Sequence, residues 1–376
     1  MLPIVMIGLC LRVAAGQAPH SCGPTLRDTP PAAIAADRLG LRDHPVAAVA
    51  VHYLDGAWTA STEGNEVAHI NATVPGDIIS DLFAAGRIGN PLFENNFKHH
   101  SLWTQDWTYT TEFAVPEDWI PKLDASTGSG ILLVFDSVKM GATVSLNDRP
   151  IGTLNDQFQR YIFPITDLKP SGNTISVSFA QNITCGGRWM ACTGGWDWAP
   201  YSDTQQEGAA TFSKGIVKSV YLARVDQVAV THVVPHVFYL GDYPTQPLEE
   251  STNGDFEVRV RVHLWAPAAG VAELTVSGDW GESHTQHVEL PAGDSNMTVV
   301  LEASKKDIKL WWPAGTGAQP LYGVTVTLAG SGDGSGGAVA STSRKIGFRH
   351  VALVTGNDTD PEFVKRAAGE QGTGVS

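Results

Sequence analysis

From about residue 50 onward the chain is a succession of short alternating or apolar runs, each stopped by Gly, Pro, Asn or Asp. The stretches "DWTYTTEFAV", "GILLVFDSV", "ATVSLNDRPIGTL", "RYIFPIT", "NTISVSFA" and "GIVKSVYLARV" repeat at a spacing that suits strands and leaves too little length between stops for helices. Asn147 and Asp148, in "SLNDRPIG", form a turn signal between two of these runs. One helix is expected, in "GDIISDLFAAGRIG", where Ile78, Ile79, Leu82 and Phe83 share a face and Gly86 stands where a C-terminal glycine belongs. After Val225 a second set of runs begins: "VAVTHVVPHVFYL", "DFEVRVRVHLWA", "AELTVSGDW", "QHVELPAG", "MTVVLEA", "PLYGVTVTLAG" and "STSRKIGFRHVAL". Their number and length fit an antiparallel sandwich of about one hundred residues. "GSGDGSGG" is expected to form the hairpin tip between its last two strands. The fold class is therefore all-β, a larger sandwich over 43–224 followed by a smaller one over 225–350, with a lead-in at 17–42 and a polar remainder at 351–376.

The 376 residues carry a net charge of −14, a field that repels phosphate backbones and anionic lipid surfaces, so neither nucleic acid nor membrane is an expected partner. Residues 1–16 hold an apolar run and a small-residue cleavage pattern, Ala14 and Gly16 before Gln17, and read as a secretory signal. The usual basic start is missing, which leaves open a membrane anchor or a displaced start. Lysosome and extracellular space are the expected destinations. Four Asn-x-Ser/Thr sequons, at Asn71, Asn182, Asn296 and Asn357, are candidate glycan acceptors on that route. Cys185 and Cys192 are close enough in sequence to close a small disulfide loop, and a reduced pair fits equally well. The cysteine and histidine spacings match no zinc site, and no nucleotide-binding or nucleophile-elbow pattern stands in a strand-to-helix setting; no metal or cofactor is expected.

Most of the eleven tryptophans are expected to fill cores, Trp58, Trp103, Trp107, Trp265 and Trp280 among them. "GGWDWAP", residues 194–200, is different, because glycines and a proline hold Trp196 and Trp198 in irregular backbone around Asp197. Aromatic faces stack on the C–H faces of sugar rings and a carboxylate between them accepts from ring hydroxyls, so this is a carbohydrate contact set. Arg188 has two readings of equal weight, a partner for Asp197 or substrate and a structural ion pair.

The order of the motifs "VPGDIISDLFAAGRIGNPLFENNF", "LWTQDWTYTTEF", "SLNDRPIGTLNDQFQRYIFPIT", "RWMACTGGWDWAP", "LWWPAGTGAQPLYGVTV" and "RKIGFRHVALV" resembles the N-terminal portion of β-mannosidases of glycoside hydrolase family 2. The resemblance implies a galactose-binding-like jelly roll, an immunoglobulin-like sandwich and a catalytic (β/α)8 barrel, the last lying beyond this sequence and acting as an intramolecular partner of the first two. It also implies retaining hydrolysis of terminal non-reducing β-D-mannosyl residues of oligosaccharides or glycoproteins by two glutamates of the barrel. No residue of this chain is a candidate for either catalytic role. The family's sugar-lining Trp-Asp pair falls on Trp196 and Asp197, with Trp198 supporting, and Arg188 starts the motif. Trp189 stands where the family has lysine, which puts the local contact pattern in question. The alternative reading is a stand-alone carbohydrate-binding sandwich protein without hydrolase activity.

Overall fold

In the computed structural model, residues 50–62, 69–90, 93, 102, 105–122, 129–139, 141–180, 213–242, 253–330, 338–353 and 360–362 are described. They form two antiparallel β-sandwiches in sequence. The first pairs a six-stranded sheet with a four-stranded one. The six-stranded sheet runs β3 (His69–Val74), β2 (Gly56–Ser61), β4 (Thr108–Phe113), β9 (Asn173–Phe179), β6 (Ala142–Leu146), β7 (Arg149–Leu154). The four-stranded sheet runs β1 (Ala50–Tyr53), β10 (Val220–Val225), β5 (Gly130–Phe135), β8 (Tyr161–Ile165). The second sandwich pairs β11 (Ala229–Tyr239), β12 (Phe256–Ala266) and β15 (Gly293–Ala303) with β14 (Ser283–Leu290), β13 (Gly270–Gly278), β16 (Tyr322–Gly330) and β17 (Ala338–Ile346).

The turn between β6 and β7 has positive φ at both Asn147 (49°) and Asp148 (64°), the conformation that matches hairpin twist and that Asn and Asp tolerate. Helix α1 (Ile78–Ala84) starts at Asp77, whose carboxylate accepts from Ser80 N at 3.0 Å, and closes near Gly86 at φ 66°. Ile78, Ile79 and Leu82 face the core as expected, but Phe83 does not: it is 47% exposed. A helix of seven residues covers the core with one narrow stripe, and Phe83 lies at its outer margin. β3 and a 3₁₀ turn at Glu117–Lys122 that buries Trp119 are among the elements without a counterpart in the expected runs.

β5 explains how the sandwiches join. "ILLVF" is apolar without alternation, which a strand tolerates when both of its faces are covered. One face, through Ile131, Leu133 and Phe135, belongs to the core of the first sandwich. The other, through Leu132 and Val134 with Tyr221, Ala223 and Val225 of β10, packs against Ala229 and Trp265 of the second. Gly130 makes room for the Trp265 ring, which would stand 2.5 Å from a Cβ there. Arg160 pairs with Asp136 at 2.6 Å and donates to the Thr231 carbonyl at 3.0 Å across the same joint. Trp58, Trp107 and Trp265 are buried and Trp280 packs half-buried on the second core, as expected of them; Trp103 lies outside the described residues. So do residues 331–337 of the glycine-serine stretch, between the paired strands β16 and β17.

Candidate functional site

Trp196, Asp197, Trp198, Arg188, Cys185, Cys192 and Asn182 fall in segment 181–212, and Asn357 in 354–359, all outside the described residues. The structure does describe where segment 181–212 is attached. On its N-terminal side Phe179 N donates to Trp107 O at 2.9 Å and Ala180 N to Gly141 O at 3.0 Å. On its C-terminal side Lys139 N donates to Gly215 O at 2.9 Å, and Val138 bridges Ile216. Both ends therefore lie against the same short stretch, Val138 to Gly141. The segment leaves and returns at one place, beside the start of β6 and the N-terminus of α1.

A polar cluster fixes the returning chain. Asp77 caps α1 through Oδ1 and accepts from Ser213 Oγ at 2.7 Å through Oδ2, so one carboxylate holds both the helix and the re-entry point. Gly76 N and Ile78 N donate to the carbonyls of Ile216 and Lys214, each at 2.8 Å. Gly215 permits this approach, since a Cβ there would stand 2.5 Å from Asp77 Cα. Lys214, with a fully buried side chain, donates to the Gln105 carbonyl. Burial lowers its pKa to about 8 against the opposing pull of Asp106. Asp81, 5% exposed, accepts from Thr73 N at 3.0 Å and from Tyr109 Oη at 2.7 Å. Burial raises its pKa to about 6, opposed by those two hydrogen bonds and helped by the Asp77 charge. Burial and the neighbouring Asp81 in turn push Tyr109 well above the ordinary phenol range. Each carboxylate oxygen of Asp77 and Asp81 accepts from a protein donor, so the pair holds together the segments around it.

Sequence reasoning missed this cluster. Its members come from 77–81, 105–109 and 213–215, and no local spacing links them. The one signal available was Asp81 itself, a carboxylate inside the apolar run "IISDLF".

A groove of about 470 Å³ opens at the other end of β6, lined by Leu146, Arg149, Pro150, Pro164, Ile165 and Asp167 among others. It is one strand length from the attachment of segment 181–212, so it is a separate feature. The remaining expected site residues, Asn71 and Asn296, are both exposed, on β3 and β15.

Residues 58–187 match the glycosyl hydrolase 2 galactose-binding domain-like family, and residues 238–349 match glycosyl hydrolases family 2. The β-mannosidase of Bos taurus is 28% identical over 335 residues, covering 80% of this chain and 35% of its own. β-Mannosidase A of Aspergillus terreus is 26% identical over 355 residues, covering 83% of this chain and 35% of its own. Among solved structures, the β-D-mannosidase of Dictyoglomus thermophilum superposes with a TM-score of 0.61 at 21% identity, over 81% of this chain and 37% of that one. The exo-chitosanase of Amycolatopsis orientalis reaches 0.56 at 19% identity, over 79% and 33%. The chain thus spans about a third of the length of the relatives it matches. The two matched regions coincide with the two sandwiches, in the same order, and the chain belongs to glycosyl hydrolase family 2 through its galactose-binding-like domain and the β-sandwich that follows it.

Proposed function

We propose that this chain is the N-terminal, sugar-facing portion of a β-mannosidase that removes terminal non-reducing β-D-mannosyl residues of oligosaccharides or glycoproteins with retention. The observation that carries this reading is the run of mammalian and fungal β-mannosidases matched across about four-fifths of the chain. Residues 43–224 and 225–350 are its first two domains, and 351–376 begin the link to a barrel that supplies both catalytic glutamates and packs on these sandwiches. On this reading the 376 residues alone do not hydrolyse β-mannosides, because both glutamates come from the barrel. Residues 1–16 direct the protein into the secretory pathway, toward lysosome or extracellular space; no described helix is long and apolar enough to cross a membrane.

Within this reading Trp196 stacks on the mannosyl ring and Asp197 accepts from its hydroxyls, with Trp198 and Arg188 supporting the segment. The attachment geometry supports the assignment, because a segment pinned at both ends to one short stretch presents its residues from a fixed base. In the polypeptide as its source cell makes it, Asp197→Ala is expected to lower kcat/KM on an aryl β-mannoside by about tenfold or more while leaving the melting temperature unchanged. Unchanged kinetics would remove Asp197 from the substrate contacts. The intact mass of that polypeptide, set against the 40.1 kDa of these residues, tests the barrel.

A further inference from the structure

Among the described residues the four sheets have eight edge strands, and an edge strand is a template for unwanted pairing unless something blunts it. Six of the eight carry a recognisable device. β7 has Arg149 and Pro150, β8 has Pro164, and β11 has Pro235. β1 is only four residues long, β14 carries Glu289 among exposed polar side chains, and β17 carries Arg344 and Lys345. β3 and β15 differ. β3, "HINATV", holds neither proline nor an acidic, Lys or Arg side chain, while Ile70, Ala72 and Val74 line its buried face. β15 is eleven residues long, and its centre from Ser295 to Leu301 has no charge and no proline.

These two strands are also the ones that carry the sequons Asn71-Ala72-Thr73 and Asn296-Met297-Thr298. We propose that both asparagines bear N-linked glycans whose role is to shield the β3 and β15 edges against pairing with another chain. The backbone supports it at β3. Thr73 N donates to Asp81 Oδ1 at 3.0 Å, away from β2, so the N–H two residues earlier, that of Asn71, faces the same open side. Asp81 closes that edge at one end, and a glycan on Asn71 would cover the rest. At β15, Asn296 is exposed and its Oδ1 accepts from Nε and Nη2 of Arg261 at 3.2 and 3.1 Å. In the transfer, Nδ2 forms a bond to the anomeric carbon of a lipid-diphosphate-linked oligosaccharide. The bond from that carbon to the phosphate oxygen breaks, the lipid diphosphate leaves with the electron pair, and one amide proton is released.

The proposal rests on the secretory reading, and the test separates the two. The full chain would be expressed in a eukaryotic cell in two forms, one with its own residues 1–16 and one with a supplied secretion leader in their place. Occupancy is read by peptide mapping after peptide-N-glycosidase treatment, which leaves Asp at each site that carried a glycan. Occupied Asn71 and Asn296 are expected in both forms. Failure of only the native leader to export would overturn the secretory reading, whereas unmodified sites in protein exported by the supplied leader would overturn the glycan sites. For shielding, light scattering would compare folded wild-type protein before and after enzymatic deglycosylation with Thr73→Ala/Thr298→Ala, which keeps both asparagines. A several-fold rise in dimers and larger species on deglycosylation is expected. Deglycosylated protein that stays as monomeric as the glycosylated form would overturn the shielding role, whatever the folding of the variant.

Discussion

Among the described residues the first sandwich is assembled from ten strands of four to seven residues, the second from seven strands of eight to eleven. Their interiors differ in the same sense. Among the described residues Thr62, Asp81, Ser137, Gln157, Asn173, Ser213 and Lys214 are buried polar or charged side chains of the first sandwich, against Thr231, Asn253 and Thr342 in the second. Long alternating strands bury an apolar face without help and need only their neighbours. Short strands interrupted by excursions must hold each excursion's ends, and hydrogen-bonded side chains do that at defined points where apolar contact would allow sliding. The second sandwich is thus held by one continuous apolar core. The first uses buried polar groups to fix the base of segment 181–212, the segment that carries the candidate sugar contacts.

If the second sandwich depends on its core, its largest single effect should come from one aromatic. Phe348 is fully buried and meets Phe256, Trp280 and Tyr322 with ring centroids 5.5, 5.2 and 5.2 Å away. Phe348→Ala should cost about 3–5 kcal/mol in urea unfolding. A loss below about 1 kcal/mol would show that this end of the sandwich repacks freely and would undo the contrast drawn above.

The next effect distinguishes the two regions by sign. Asp81 has a folded pKa of about 6, above its ordinary 3.8, so the folded state holds a proton that the unfolded state has released. Stability from this group falls as pH rises through that window, by on the order of 3 kcal/mol. His232, beside the joint of the sandwiches, behaves oppositely. Burial first, then the charges of Arg160, His263 and Arg344, lower its pKa from 6.5 to about 4. The unfolded state then takes the proton first, and stability falls as pH drops through 6.5 toward 4. Melting temperatures measured from pH 4 to 6 should therefore tilt upward with pH in Asp81→Asn and downward in His232→Gln, relative to wild type. Parallel profiles in all three proteins would mean that neither group titrates as its surroundings dictate.

Much of this architecture was legible because it is local. The Asn147-Asp148 turn, the alternation of β12 and β16 and the Gly86 end of α1 each rest on residues within one element. β3 is hard to read because "HINATV" is short and polar at alternate positions. Phe83 was placed inward because helical spacing allows it, whereas how far the helix sinks into the core is set by the sheet beneath. The Asp81–Tyr109 and Asp77–Ser213 contacts join residues 28 and 136 positions apart, and only the completed topology brings them together. The candidate sugar residues were legible through composition, an aromatic pair around a carboxylate between glycines and a proline, which is a chemical signal and needs no fold.

The smallest expected effect tests whether the groove beyond the β6–β7 hairpin shares the rigidity of the polar cluster. Arg149 and Asp167 meet across its mouth at 2.7 Å, but their side chains are 77% and 67% exposed. Water and salt screen such a pair, and ordering two mobile side chains offsets what attraction remains. The hairpin has a better anchor in Asn147, which donates to Asp167 O and to Asn173 Oδ1 at 3.1 and 3.2 Å and accepts from Thr174 N at 2.9 Å. Arg149→Ala should accordingly leave stability within about 0.5 kcal/mol of wild type, with little dependence on salt. A loss above about 1 kcal/mol that fades in high salt would make the ion pair a structural clasp, and would extend to this edge the anchoring role that buried polar groups play at the base of segment 181–212.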